Sequence, residues 1–232
     1  MTGVPLRRAR LALLLARSTV AALVVIRLAG VPAAQSAAEI ERITKLIGLR
    51  PGMVVADIGA GAGRLTVALA RLAGPSGRVY STEIDSDRLA DIRSAVEDAG
   101  LRNVVVIEGH ASRTNLPEAC CDALVLRNVY HHFREPERMA ASLFASLRPG
   151  GRLLVIDFAP RRLGPARGSS TESRGDRPAA GGTDRARGEA HGVAPEAVER
   201  ELEGAGFEML ERIDDWPGRR AFAVLARRPG AS

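Results

Sequence analysis

Seven consecutive residues, Asp57-Ile58-Gly59-Ala60-Gly61-Ala62-Gly63, set one carboxylate ahead of three glycines at alternate positions. Glycines at that spacing let the backbone turn tightly and approach a ligand where a Cβ would collide, and N–H groups at a following helix start face the bound molecule. A second acid, Glu83, lies twenty residues beyond Gly63, the interval at which a carboxylate grips a ribose diol. A dinucleotide turn reads G-x-G-x-x-G, whereas this one reads G-x-G-x-G with Arg64 at the place of the third glycine. Asp57 would repel a pyrophosphate and attract an ammonium group. The turn therefore suits a ribose ligand bearing an ammonium better than a nicotinamide dinucleotide.

A second cluster, Arg127-Asn128-Val129-Tyr130-His131-His132-Phe133, brings two imidazoles and a phenol together. Histidine changes charge near neutral pH and is the commonest group for moving a proton in a reaction. Two readings stand side by side: His131 or His132 takes a proton while Tyr130 orients a substrate, or one histidine caps a helix and Tyr130 packs in the core. Asp157 is a further candidate of lower weight, and His191 borders a region without apolar pattern.

These groups need a scaffold, and the hydrophobic periodicity supplies one. Apolar residues three and four apart predict helices over 37–47, 65–72, 88–99, 136–147 and 194–205. Short apolar runs predict strands at 53–56, 78–82, 104–107, 123–126 and 153–156, with two more at 207–213 and 221–226 flanking Trp216-Pro217-Gly218. The alternation predicts an α/β fold, a doubly wound seven-stranded mostly parallel sheet with a C-terminal antiparallel hairpin. Both chemical clusters follow strands, so both fall at the carboxyl ends where such sheets bind ligands.

With that context, the segment Val54 to Gly63 resembles motif I of the class I S-adenosylmethionine-dependent methyltransferases. Arg78 to Asp85 resembles the second strand of that family, and Leu147-Arg148-Pro149-Gly150-Gly151-Arg152-Leu153 resembles the turn into its fifth strand. The likeness covers roughly residues 40–158 and, more loosely, 191–227. It implies S-adenosyl-L-methionine as cofactor, with Gly59, Gly61 and Gly63 along the methionine moiety and Asp57 near its amino group. Glu83 would bind the ribose hydroxyls and Ile84 would flank the adenine. His110 and Ala111 fall where the family often has an acid facing the adenine amine, and His110 stands in that acid's place. Asn128 completes the implied binding set. Tyr130-His131-His132 resembles a segment in a subgroup whose substrates are mostly not established. The implied function is methyl transfer to an unidentified, small-molecule acceptor, with Tyr130, His131 and His132 as catalytic candidates. The alternative is a catalytically silent S-adenosylmethionine-binding sensor or partner module, which His110 favours slightly.

The chain of 232 residues carries a net charge of +6, but unevenly. Residues 1–38 hold five arginines and no acid, residues 159–190 seven arginines against four acids, and the rest is slightly acidic. Such a body, with 3% aromatic residues, argues against a nucleic-acid partner. Four segments follow: a signal-like or membrane-associating stretch at 1–35, the binding core at 36–159, a mobile Arg/Gly/Ser/Pro-rich insertion at 160–192, and a helix and hairpin at 193–232. The first segment has the order of a secretory signal, yet Arg17 and Arg27 interrupt its apolar run. Export, membrane tethering and a cytoplasmic amphipathic extension all stay open. Cys120 and Cys121 are adjacent, offer no zinc spacing or disulfide framework, and read as small buried residues before a strand.

Overall fold

The computed structural model describes residues 33–160 and 191–230. The expectations for residues 1–32 and for most of the 160–192 segment lie outside the described residues. No described helix is long and apolar enough to cross a membrane.

The described elements are α1 (Ala33–Ile47), β1 (Val54–Ile58), α2 (Arg64–Ala73), β2 (Arg78–Glu83), α3 (Ser86–Asp98), β3 (Val104–Glu108), β4 (Cys121–Arg127), α4 (Pro136–Ser146), β5 (Leu147–Phe158), α5 (Pro195–Gly204), β6 (Glu208–Ile213) and β7 (Ala221–Arg227). One sheet takes them in the order β3-β2-β1-β4-β5-β7-β6. The first five strands run parallel, and β7 enters antiparallel between β5 and β6. The doubly wound architecture read from the sequence is the one observed. Winding reverses between β1 and β4, which opens a crevice at their carboxyl ends.

Side chains alternate across the pleat, so each central strand supplies two cores. In β4, Leu124 and Leu126 face α4 and α5 with Met139, Leu143, Val198 and Leu202. Ala123 and Val125 face α1 and α2 with Ile43, Ile47, Leu69 and Ala73. Both faces are dry, which explains why these strands read as unbroken apolar runs.

Helix ends are fixed by local chemistry. Asp85 caps α3, its carboxylate accepting from the N–H groups of Asp87 and Arg88. At the other end of α2, the Asn103 amide donates to the carbonyls of Ala70 and Gly74, each at 2.8 Å. Asn103→Ala leaves those acceptors to water or unpaired, and about 1–2 kcal/mol of stability is expected to be lost in a urea titration. An unchanged midpoint would show that water replaces the amide fully.

The strand reading of 153–156 was short. β5 begins at Leu147 and carries the Arg148-Pro149-Gly150-Gly151 bulge, across which its register with β4 shifts between Cys121 and Ala123. Gly150 donates to Arg228 and Gly151 accepts from it, so backbone pairing with the last strand's end extends the strand past the turn. Cys120 and Cys121 form a vicinal disulfide at the amino end of β4, away from the crevice. That pairing overturns the expectation of no disulfide, while the reading of the pair as small buried residues holds: Cys121 is fully buried and Cys120 packs against the same core.

Candidate functional site

β1 ends at Ile58, and the chain must then clear Val129, which follows β4. Gly59 has φ +70°, and a Cβ there would lie 2.5 Å from Val129 Cγ2, closer than any real side chain tolerates. Its N–H and that of Ala60 both donate to Thr82, tying the turn to β2. Gly61, with φ +56°, is different: a Cβ built on it meets nothing within 4 Å. Its side of the turn faces open space. Gly63 caps α2 in the left-handed conformation without any side-chain cap, so the positive end of the helix is left for a negative group.

Glu83 holds this turn from the next strand. Its Oε2 accepts the Gly61 N–H at 2.9 Å and its Oε1 the Ile84 N–H at 2.8 Å. A carboxylate has lone pairs left after two such bonds and can still accept from a diol. Beside it Ile84 is 64% exposed, a large apolar surface at the edge of the cleft where a flat base could rest. Gly109 packs against Ile84 and donates to the Glu83 carbonyl.

Asp57 sits beneath the turn, 2% exposed, with Oδ2 accepting from Thr66 Oγ at 2.7 Å. Thr66 is in turn 2.8 Å from Ser81 Oγ. Burial pushes the Asp57 carboxyl up to about 6, with the Thr66 hydrogen bonds and Arg127 pulling down and Glu83 pushing up. His110 is exposed, and its Nδ1 accepts the Ser112 N–H in a local turn that Ala111 shares. Asn128 takes φ +56° and donates its N–H to Ile156, bending the chain sharply off β4.

That bend delivers the histidine pair on a single 3-10 turn, Tyr130–His132. His131 Nδ1 lies 2.8 Å from Asp157 Oδ1, and the two side chains are 4% and 0% exposed. Asp157 also accepts the N–H groups of His131 and Phe158. His131 Nε2 is buried with no hydrogen-bond partner among the described residues. The exposed His132 and His191 rings lie 4.0 and 4.6 Å from the His131 ring, and Phe158 lies 4.7 Å from it. The His131 pKa is held below its ordinary value by burial, against the opposing pull of Asp157 and with help from His132 and His191. The imidazoles belong to no metal-holding group among the described residues.

Tyr130 is placed elsewhere. It is 2% exposed in the core beside α4 and α5, and its hydroxyl donates to Glu201 at 3.0 Å. Burial and Glu201 raise its pKa well above the ordinary phenol value. This is the packing role, one of its two sequence readings.

The sequence did not single out the pair Glu39 and Arg127. Arg127, at the end of β4, donates twice to Glu39 of α1, at 3.0 and 2.9 Å. Trp216 also donates to Glu39, and the Arg42 guanidinium lies 4.6 Å from the Trp216 ring centre. Its only sequence signal was a charged residue closing an apolar strand. The Thr66–Ser81 link under Asp57 likewise left no pattern.

Residues 56–155 match the family model of a methyltransferase domain. Over 119 residues the chain is 32% identical to the ubiquinone/menaquinone biosynthesis C-methyltransferase UbiE of Vibrio campbellii, covering 51% of this chain and 46% of that protein. The corresponding protein of Erwinia tasmaniensis is 33% identical over 119 residues, with 51% and 47% covered. The chain thus matches less than half the length of these relatives. Among solved structures, a SAM-dependent methyltransferase from Aquifex aeolicus aligns with a TM-score of 0.61 at 23% identity, covering 86% of this chain and 99% of that one. The [4+2]-cyclase SpnF aligns with a TM-score of 0.66 at 18% identity, covering 86% and 82%.

Proposed function

Given that this chain carries a class I S-adenosylmethionine-dependent methyltransferase domain, we propose that it transfers a methyl group to a small-molecule acceptor. The observation that carries this reading is the open face of Gly61, whose N–H is held by the ribose-binding candidate Glu83. The cleft fits the cofactor: a backbone turn with space on one side, a carboxylate for a diol, an apolar shelf in Ile84, and a buried acid beneath for an ammonium. When bound, the sulfonium supplies an activated methyl group.

Methyl transfer is an in-line displacement, so the protein's work is alignment and exclusion of water. Gly59 to Gly63 and the α2 N-terminus would hold the amino-acid end, and Glu83 and Ile84 the nucleoside. His131 and His132, beyond the bend at Asn128, face the acceptor side. A small acceptor is favoured over a nucleic acid because the basic residues concentrate outside the slightly acidic body. Hydroquinones enter a first screen because the UbiE relatives are named for ubiquinone and menaquinone biosynthesis. Membrane association through residues 1–35 stays a proposal of the sequence. A second reading, a binding module without turnover, draws support from His110 standing where an acid for the adenine amine is usual.

Calorimetric titration of the full chain with S-adenosylmethionine, S-adenosylhomocysteine and NAD tests the assignment. The first two are expected to bind with Kd near ~1 μM, about −8 kcal/mol, and NAD not at all. Binding of NAD alone, or of none, would overturn it. Donor binding without methylation of any acceptor in a broad screen would favour the second reading.

A further inference from the structure

Resting on that reading of the cleft, we propose that Asp157 and His131 form a proton-accepting pair, and that the acceptor is a planar aromatic molecule with an ionisable hydroxyl. The pair is built. Asp157 is wholly buried and fixed by two backbone N–H groups, and its Oδ1 receives His131 Nδ1 at 2.8 Å. With Nδ1–H committed to Asp157, the lone pair of the ring sits on Nε2. That atom is buried and has no partner among the described residues. A buried polar atom without a partner costs about 1–3 kcal/mol, a cost that a bound hydroxyl at Nε2 removes.

The surroundings select for a flat ring. His132, Phe158 and His191 stand 4.0 to 4.7 Å from His131, and aromatic rings favour tilted or offset neighbours at such separations. Phe158 and His131 are anchored to β5 through Asp157, whereas His132 and His191 are exposed, so those two rings are the ones an entering acceptor displaces. The step balances. The acceptor hydroxyl passes its proton to Nε2, and the freed oxygen pair forms a bond to the methyl carbon of the sulfonium. The carbon–sulfur bond breaks with its electrons left on sulfur. His131 becomes an imidazolium facing Asp157 and returns the proton to water. His131 is thus the catalytic residue and Asp157 a positioning residue.

Among the described residues, the titratable groups around the His131 ring are Asp157 of β5, His132 of its own turn and His191 ahead of α5; Phe158 adds none. The test uses the full chain saturated with S-adenosylhomocysteine and 4-nitrophenol as probe, with phenolate absorbance read across the pH range. The ionisation midpoint of the bound probe is expected to fall by about one unit, a tenfold change. His131→Gln should abolish the shift at unchanged S-adenosylhomocysteine affinity, and Asp157→Asn should reduce it. In nitrogen NMR the wild-type His131 should carry its proton on Nδ1, and Asp157→Asn should move it to Nε2. Should Asp157→Asn not fold, the wild-type tautomer and His131→Gln decide. Absence of probe binding to a protein that holds S-adenosylhomocysteine, a shift that survives in His131→Gln, or an Nε2-protonated wild type would each overturn the proposal. Loss of S-adenosylhomocysteine binding in the wild type would instead overturn the cleft assignment beneath it.

Discussion

Gly61→Arg is expected to weaken S-adenosylhomocysteine binding at least 100-fold, about 2.8 kcal/mol, while the protein stays folded. The separation of the two effects comes from one geometric fact. A Cβ at Gly61 meets nothing within 4 Å, so the arginine side chain enters the space assigned to the ligand and not the core. Only the backbone objects: at φ +56° a residue with a Cβ costs about 1–2 kcal/mol. Gly100 provides the control, since it has φ +66° and equally empty surroundings at the end of α3, away from the crevice. Gly100→Arg should lose a similar amount of thermal stability with unchanged affinity. If both variants bind alike, the space at Gly61 is not the cofactor's.

Asp57→Asn should make the free protein more stable at neutral pH and a worse binder. A carboxyl whose pKa rises from 3.8 in the unfolded chain to about 6 in the folded one takes up its proton more readily when folded. Its contribution to stability is complete below 3.8 and is lost as pH climbs through about 6. At pH 7 the ionised group burdens the fold by up to ~3 kcal/mol at about 1.4 kcal/mol per unit. An asparagine keeps an acceptor for Thr66 and carries no charge, so the gain should be near zero at pH 4 and largest above pH 6.5. Denaturant titrations at several pH values measure it directly. The same substitution removes the charge assigned to the donor's ammonium, and affinity should fall by about 10- to 100-fold. A gain over the wild type that is the same at pH 4 and above pH 6.5 would show that Asp57 is not strained by its burial. Stability surrendered for binding in this way is common where a charge must wait in a dry place.

The sheet was legible because its strands are dry on both faces and its helices amphipathic, so unbroken apolar runs marked the strands and apolar spacings of three and four marked the helices. Motif I was legible for a different reason: only glycine fits where Val129 crowds Gly59, and that constraint leaves a letter in the sequence. Partnerships between distant residues leave none. Asp157 and His131 are 26 positions apart, and Glu39 and Trp216 are 177 apart, and no local pattern announces either. Tyr130 shows the converse, since a tyrosine in a row of candidate catalytic groups reads equally as chemistry or as core until α5 is seen covering it. The length of β5 was missed because its Pro-Gly-Gly bulge looks like a strand's end, while the pairing that continues it comes from Arg228.

The bridge from Glu39 to Arg127 and Trp216 has a consequence for how the protein is made. Synthesis is vectorial, and domains fold as the chain emerges. The first described helix leaves the ribosome before the sheet it covers, yet the tryptophan it must meet follows Glu39 by 177 positions, and β7, which must slot between β5 and β6, comes later still. We expect α1 to wait undocked through most of translation, its apolar face available to chaperones. The wall it forms beside β4 would close only after Trp216 and β7 have emerged, so a nascent chain stalled before Trp216 should bind S-adenosylhomocysteine poorly even though every glycine of the turn has already been synthesised.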